Sequence, residues 1–241
     1  MTFRHSLFVV FSSFWLIACG GSNTLEDTYV ERPVEEIYNT AIEALERRNY
    51  ITASQEFDEV ERQHPYSIWA RRALVMSAYT FYVQNKYDEA IATSRRFLAL
   101  YPGNSQAPYA YYLIAMSQYE RISDVKLDQR TTELARYSLI EVIRRYPGSD
   151  YAKDAALKLD LAVGNLAGKE MDVGRYYLNR GDYGAAASRF KNVVLNYNTT
   201  MHVEEALHRL TETYLLLGIV TEAQNAAAVL GYNFPESRWY T

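Results

Sequence analysis

From residue 34 onward, apolar positions recur three and four residues apart, the spacing of one helix face. Segments such as "VEEIYNTAIEAL", "ARRALVMSAYTFYV" and "EEALHRLTETYLLL" read as first helices, and "RRNYITA", "QNKYDEA", "NRGDYGA" and "LGIVTEA" as the turns that follow first helices. Second apolar stripes come next: Phe57 and Val60, Phe97, Leu139 and Val142, Phe190 and Val193, then Leu230. Most of these stripes stop at a proline, which lacks an N–H and cannot continue a helix. The endings "EVERQHPYS", "RFLALYPGNS" and "EVIRRYPGSD" are three versions of one signal, and "NVVLNYNTT" and "AVLGYNFPES" are two looser ones.

Counting back from these endings exposes a repeat. Ala53, Ala90 and Ala135 each lie twelve residues before Pro65, Pro102 and Pro147; Ala186 and Ala223 lie twelve before Asn198 and Pro235. A small residue with an aromatic three positions later, as in Ala78/Phe81 and Gly174/Tyr177, marks the first helices. This spacing resembles the tetratricopeptide repeat. The predicted fold is therefore all-α, an α-solenoid of about five tetratricopeptide-like helix-turn-helix repeats. A single helix pair cannot bury its stripe, whereas stacked pairs can. The steps between endings are 37, 45, 51 and 37 residues. The extra length falls in "ISDVKLDQR" within the third repeat and in "DYAKDAALKLDLAVGNLAGKEMDVGRYYL" before the fourth. The latter reads as one long helix, with Gly164 or Gly168 as the point where it could bend, and it separates front repeats 1–3 (34–149) from rear repeats 4–5 and a C-terminal tail (150–241).

The start of the chain is different. Arg4 and His5 precede a short apolar run, Leu7 to Ile17, about half the ~20 residues that a spanning helix needs. This reads as an export signal over 1–18. Leu16-Ile17-Ala18-Cys19 resembles a bacterial lipobox, which makes Cys19, the only cysteine, the lipid attachment point and 19–33 a lipidated flexible tether. A lone cysteine also excludes a disulfide framework. Gly20 in place of Asp implies, by the same resemblance, passage to the outer membrane. The net charge of −4 gives no electrostatic footprint for nucleic acid.

Tyrosine is the compositional outlier, at 22 residues. In this repeat type first helices line the concave side. The register places Tyr38, Tyr79, Tyr82, Tyr109, Tyr112 and Tyr119 on that wall, and leaves Phe81, Tyr111 and Tyr177 at packing positions. Tyrosine offers area and a hydroxyl at low entropic cost. The wall suits an extended peptide with apolar or aromatic side chains.

The lipobox, the five repeats, the junctions "HPYSIWA", "YPGNSQAPYA" and "YPGSDYA", and the ending "VLGYNFPESRWY" together resemble the BamD family of outer-membrane protein assembly lipoproteins. The resemblance spans nearly the whole chain from Cys19. It implies a non-enzymatic scaffold of the β-barrel assembly machinery, anchored in the outer membrane by lipid and facing the periplasm. Its implied partners are a BamA POTRA domain, other Bam lipoproteins and unfolded β-barrel precursors carrying a C-terminal signal that ends in an aromatic residue. Front repeats would receive the precursor; rear repeats would dock on BamA through Arg189 in "AAASRF". The repeat-three loop is shorter here than in some members, so a role for it does not carry over.

No catalytic pattern competes with this reading. His202 and His208 fall on different helix faces, and Glu204 with His208 supplies two ligands, too few for a metal site. No nucleophile elbow, phosphate loop or CxxC pair occurs. No cofactor is expected. The alternative is another periplasmic repeat lipoprotein, an adaptor for cell wall or division.

Overall fold

The computed structural model describes residues 31–240. The signal region and Cys19 lie outside them. Among the described residues there are ten helices and no strand: α1 (Val34–Glu46), α2 (Tyr50–Gln63), α3 (Ile68–Val83), α4 (Tyr87–Leu100), α5 (Ala107–Tyr119), α6 (Arg130–Arg145), α7 (Asp150–Asn179), α8 (Tyr183–Asn196), α9 (Val203–Leu216) and α10 (Val220–Asn233). Each helix packs on the next, and α1, α3, α5 and α7 also touch in series. That is the contact pattern of a solenoid of five helix pairs.

The sequence signals map onto the helix ends. His64, Tyr101, Tyr146 and Phe234 are the C-caps of α2, α4, α6 and α10, and the residue after each is proline. Ser67 and Ser149, from the proline–serine junctions, are N-caps: their hydroxyls accept the N–H of Ala70 at 3.0 Å and of Ala152 at 3.1 Å. Such caps satisfy backbone donors that a helix start leaves open.

Four of the five turns inside helix pairs share one geometry. Arg48, Asn85, Gly181 and Gly218 have φ of 59°, 60°, 78° and 75°. The N–H groups of the residues that follow reach back to Ala44, Phe81, Tyr177 and Tyr214 carbonyls at 2.8 to 3.0 Å. This left-handed C-terminal closure reverses the chain in a few residues. The third pair departs from it through its longer loop, 120–129. There the Gln129 amide donates to the carbonyls of Asp124, Val125 and Leu127 at 3.1 to 3.2 Å, and Lys169 from α7 donates to the Lys126 carbonyl at 2.7 Å.

The core is a row of small clusters rather than one mass. The repeat alanines Ala53, Ala90, Ala135 and Ala186 are fully buried, and Ala223 is 2% exposed. They let partner helices approach, while Phe57, Phe97, Leu139 and Phe190 fill the space between them. Full burial of such a side chain stabilises by about 1.5–3 kcal/mol. The long helix runs through Gly164 and Gly168 without interruption. Its first half packs in the cluster of Ala115, Leu139 and Val142 through Ala155 and Ala162. Its second half packs with α8 and α9 through Ala167 and Met171. One helix thus serves two neighbouring stacks. After α10 the tail folds back on α9: the His208 ring hydrogen-bonds the Trp239 carbonyl at 2.8 Å, and Ser237 donates to Glu204 at 2.6 Å.

Candidate peptide-binding groove

The first helices of repeats two and three bring Tyr79 and Tyr82 of α3 beside Tyr109 and Tyr112 of α5. Spacing of three residues puts each pair on one helix face. All four are half-buried. Tyr151, from the first turn of α7, completes the group: its ring lies 5.5 Å from Tyr109 and 5.2 Å from Tyr112, each tilted by 38°. Offset ring pairs at this range attract beyond their buried area.

Carboxylates hold the hydroxyls in place. Tyr112 donates to Asp154 Oδ2 at 2.5 Å, and Lys158 bridges both Asp154 oxygens at 2.7 Å. Tyr82 donates to Glu120 at 3.3 Å. Lys158 also lies 6.0 Å from the Tyr119 ring centroid.

The titration behaviour follows from this packing. Burial pushes the Tyr82 phenol up to about 12, helped by the adjacent Glu120 carboxylate. Burial raises Tyr109 further, with Tyr79 and Tyr151 adding to the effect. Burial and the bond to Asp154 raise Tyr112 likewise. Burial works against the Asp154 carboxylate, but the hydrogen bonds from Lys158 and Tyr112 outweigh it and hold the group below its ordinary value. At neutral pH the wall therefore offers un-ionised phenols beside fixed negative charge. It can stack on side chains and exchange hydrogen bonds, which is binding chemistry.

The other expected positions lie elsewhere. Tyr38 packs against Phe57 at 5.7 Å and Trp69 at 4.8 Å, within the cluster where α1 and α2 meet α3. Tyr119 leans on the Leu139 cluster beside Tyr111. Arg189, on α8, pairs at 3.3 Å with Glu170 of α7; its side chain is 45% exposed and that of Glu170 18%. The pair lines a polar recess of about 540 Å³ with Ser188, Lys191 and Asn192. Tyr151, Asp154, Lys158 and Glu120 were not singled out from the sequence. The sign available for them was position: Tyr151 stands in "YPGSDYA", directly after a proline–serine junction, with Asp154 one turn on.

Among the described residues, no group of three or more His, Cys, Asp or Glu could hold a metal ion. No described helix is long and apolar enough to cross a membrane.

Comparison with known proteins adds the lineage. A family model described as "YfiO: Outer membrane lipoprotein" matches residues 30–230. The "Outer membrane protein assembly factor BamD" of Caulobacter vibrioides is 51% identical over 212 residues, covering 88% of this chain and 70% of that protein. The chain belongs to the BamD family. A member from Rickettsia prowazekii is 41% identical over 93% of this chain and 90% of its own length. One from Neisseria meningitidis serogroup A is 33% identical, over 94% and 90%. The family that the lipobox, repeats and junctions resembled is thus the family to which this chain belongs.

Proposed function

We propose that this chain is a non-enzymatic scaffold lipoprotein of the β-barrel assembly machinery, helping to recognise and insert outer-membrane β-barrel proteins. The relatives' shared name, outer membrane protein assembly factor, supports the assembly role. The observation that carries the mechanism is the cluster of Tyr79, Tyr82, Tyr109, Tyr112 and Tyr151. Tyr109, Tyr112 and Tyr151 are held by ring contacts, and Tyr82 and Tyr112 by carboxylates, yet all five keep some exposure to solvent. An unfolded precursor ending in an aromatic residue would lay that ring on Tyr109, Tyr112 and Tyr151. The wall is already ordered, so little side-chain freedom is lost on binding.

In this reading, front repeats (34–149), completed by Tyr151 at the head of α7, receive the precursor, and the remainder of the rear part (150–241) docks a POTRA domain of BamA. Arg189 is the charge offered there, since its pairing with Glu170 leaves the guanidinium reachable. Cys19 carries the lipid that holds the protein at the outer membrane, facing the periplasm, where other Bam lipoproteins join it.

The test is site-specific crosslinking of a precursor's C-terminal peptide to the protein and to the Tyr79→Ala/Tyr112→Ala variant. Crosslinking should fall at unchanged helicity. Equal crosslinking would remove the tyrosine wall from the receptor role. Arg189→Glu should lose BamA fragments in a pull-down while keeping the peptide, and Cys19→Ser should leave the membrane fraction.

A further inference from the structure

The turn that closes the fifth helix pair has the geometry of three others and none of their chemistry. At the C-cap of the first helix stand Arg47, Gln84 and Arg180 in the first, second and fourth pairs, and Leu217 in the fifth. At the N-cap of the second helix stand Asn49, Lys86 and Asp182, and then Ile219. Polar side chains meet the same geometry in the other pairs, so the turn itself does not call for apolar ones. Yet the chain carries no charge from Thr213 to Thr221. Leu215, Leu216, Leu217, Ile219 and Val220 are between 39% and 57% exposed. Gly218, with φ of 75°, reverses the chain in their midst, so they project from the apex of a turn. A contiguous apolar surface of this kind marks a contact with another protein or with a membrane.

The surroundings favour the membrane. A protein contact is oriented by a polar rim around its apolar centre. On the α9 side of this turn such groups are already spent: Glu212 accepts from Arg209 at 2.9 Å, and Thr213 is buried with its hydroxyl on the Arg209 carbonyl. On the α10 side Thr221 and Glu222 are the first polar residues. Because each helix packs on the next, the turns inside pairs follow one edge of the array. The preceding turn on that edge carries Arg180, which donates to the Tyr176 hydroxyl at 2.8 Å and lies 5.5 Å from the centre of that ring. Both residues are exposed, and the guanidinium keeps donors to spare. A tyrosine and an arginine beside an apolar projection suit the boundary between lipid and water, where the ring sits among headgroups and the cation reaches phosphate. The matching family model is described as an outer membrane lipoprotein, which puts a bilayer within reach.

We infer that the α9–α10 turn is a lipid-binding surface: Leu215, Leu216, Leu217, Ile219 and Val220 enter the headgroup and upper acyl region of a bilayer, and Arg180 meets lipid phosphate. The consequence is orientation. A lipid attached ahead of α1 holds the protein near the membrane without fixing how the array lies. A second contact at the last helix pair fixes it. That contact needs little affinity of its own, because attachment elsewhere makes it intramolecular, at an effective concentration of about millimolar. This consequence rests on the lipid attachment proposed above; the contact itself does not.

The test uses the purified chain from residue 20 onward, so that neither the apolar run nor Cys19 contributes. It holds the whole described array, which is one compact unit. Ile219→Cys supplies a single thiol for an environment-sensitive dye, and the probe is a vesicle of phosphatidylethanolamine and phosphatidylglycerol, with or without brominated acyl chains. At millimolar lipid the dye should shift to the blue and be quenched by the brominated chains. A dye at Lys86→Cys, the matching position in the second pair, should stay in water. Leu215→Gln/Leu216→Gln should lower vesicle affinity at least about tenfold at unchanged helicity, and Arg180→Gln should lower it by a smaller factor. An unquenched dye at the Ile219 position would overturn the membrane contact, whatever the fate of the lipid anchor. Equal quenching at both positions would also overturn it, as adsorption of the whole chain. A dye that ignores lipid but shifts on adding BamA fragments would assign the turn to a protein partner instead.

Discussion

A Cβ placed on Gly174 of α7 would lie 2.5 Å from Cε1 of Phe190 on α8, a ring that is fully buried. Phe190 has no room to withdraw, because Ala186, Val193 and Met171 close the same cluster. Gly174→Ala should therefore destabilise the protein by about 1–3 kcal/mol despite the better helix propensity of alanine. Denaturant unfolding checks this. Gly174→Ala combined with Phe190→Leu should recover part of the loss, since the smaller side chain frees the space.

Ser94 occupies the place that Phe57 and Phe190 hold in their repeats, and it is fully buried with an Oγ that bonds to nothing among the described residues. A buried hydroxyl without a partner keeps its desolvation cost. Ser94→Ala should stabilise by about 1 kcal/mol, read as a higher denaturation midpoint at an unchanged slope.

The raised phenols can be counted by alkaline titration. Free tyrosines ionise near 10.0, whereas Tyr82 is pushed up to about 12, with Tyr109 and Tyr112 also raised. In the folded protein these three should ionise as a late class, measured by phenolate absorbance. Replacing them by phenylalanine should remove three phenols from that class and leave Tyr38, Tyr87, Tyr146 and Tyr197, which burial also raises. The sign for stability follows: a group whose folded value is raised contributes fully below its unfolded value, and that contribution fades as pH climbs from 10 through 12. The unaltered protein should thus lose more stability across that window than the triple variant.

Trp239 holds the tail on the last helix pair. Its carbonyl bonds His208, and its ring lies 5.4 Å from the His208 ring and 5.5 Å from the Arg209 guanidinium. It also covers the cluster of Val203, Leu207 and Leu230. Trp239→Ala should raise amide exchange in α9 and α10 while leaving α1 to α6 unchanged, because stability in a stacked array is mainly a nearest-neighbour property. Faster exchange throughout would show instead that the whole array unfolds as one unit.

Much of the fold was legible because its signals are local. Prolines after C-caps, serines at N-caps and alanines twelve residues ahead of each ending are fixed by backbone and steric rules that act within one repeat. The pairing of Tyr79 and Tyr82 with Tyr109 and Tyr112 followed from register. What escaped the sequence were contacts set by stacking. Tyr38 satisfies the same register, yet its ring packs between Phe57 of α2 and Trp69 of α3, in a cluster of its own. Tyr151 and Asp154 were missed because α7 has no internal turn to mark which face meets the groove. The fold of the repeat-three loop depends on one glutamine reaching three carbonyls, which composition does not announce.

The double membership of α7 bears on how the molecule can be dissected. A fragment ending at residue 149, the natural cut from repeat counting, would keep Tyr109 and Tyr112 but discard the ring they rest on and the carboxylate that steers Tyr112. Its failure to capture a ligand would say nothing about the repeats it contains. Only a piece carried through Asn179 keeps that surface whole, and such a piece takes with it Glu170, the counter-ion of Arg189. The two ends of the protein are joined as branches on one trunk, and no single saw cut returns both alive.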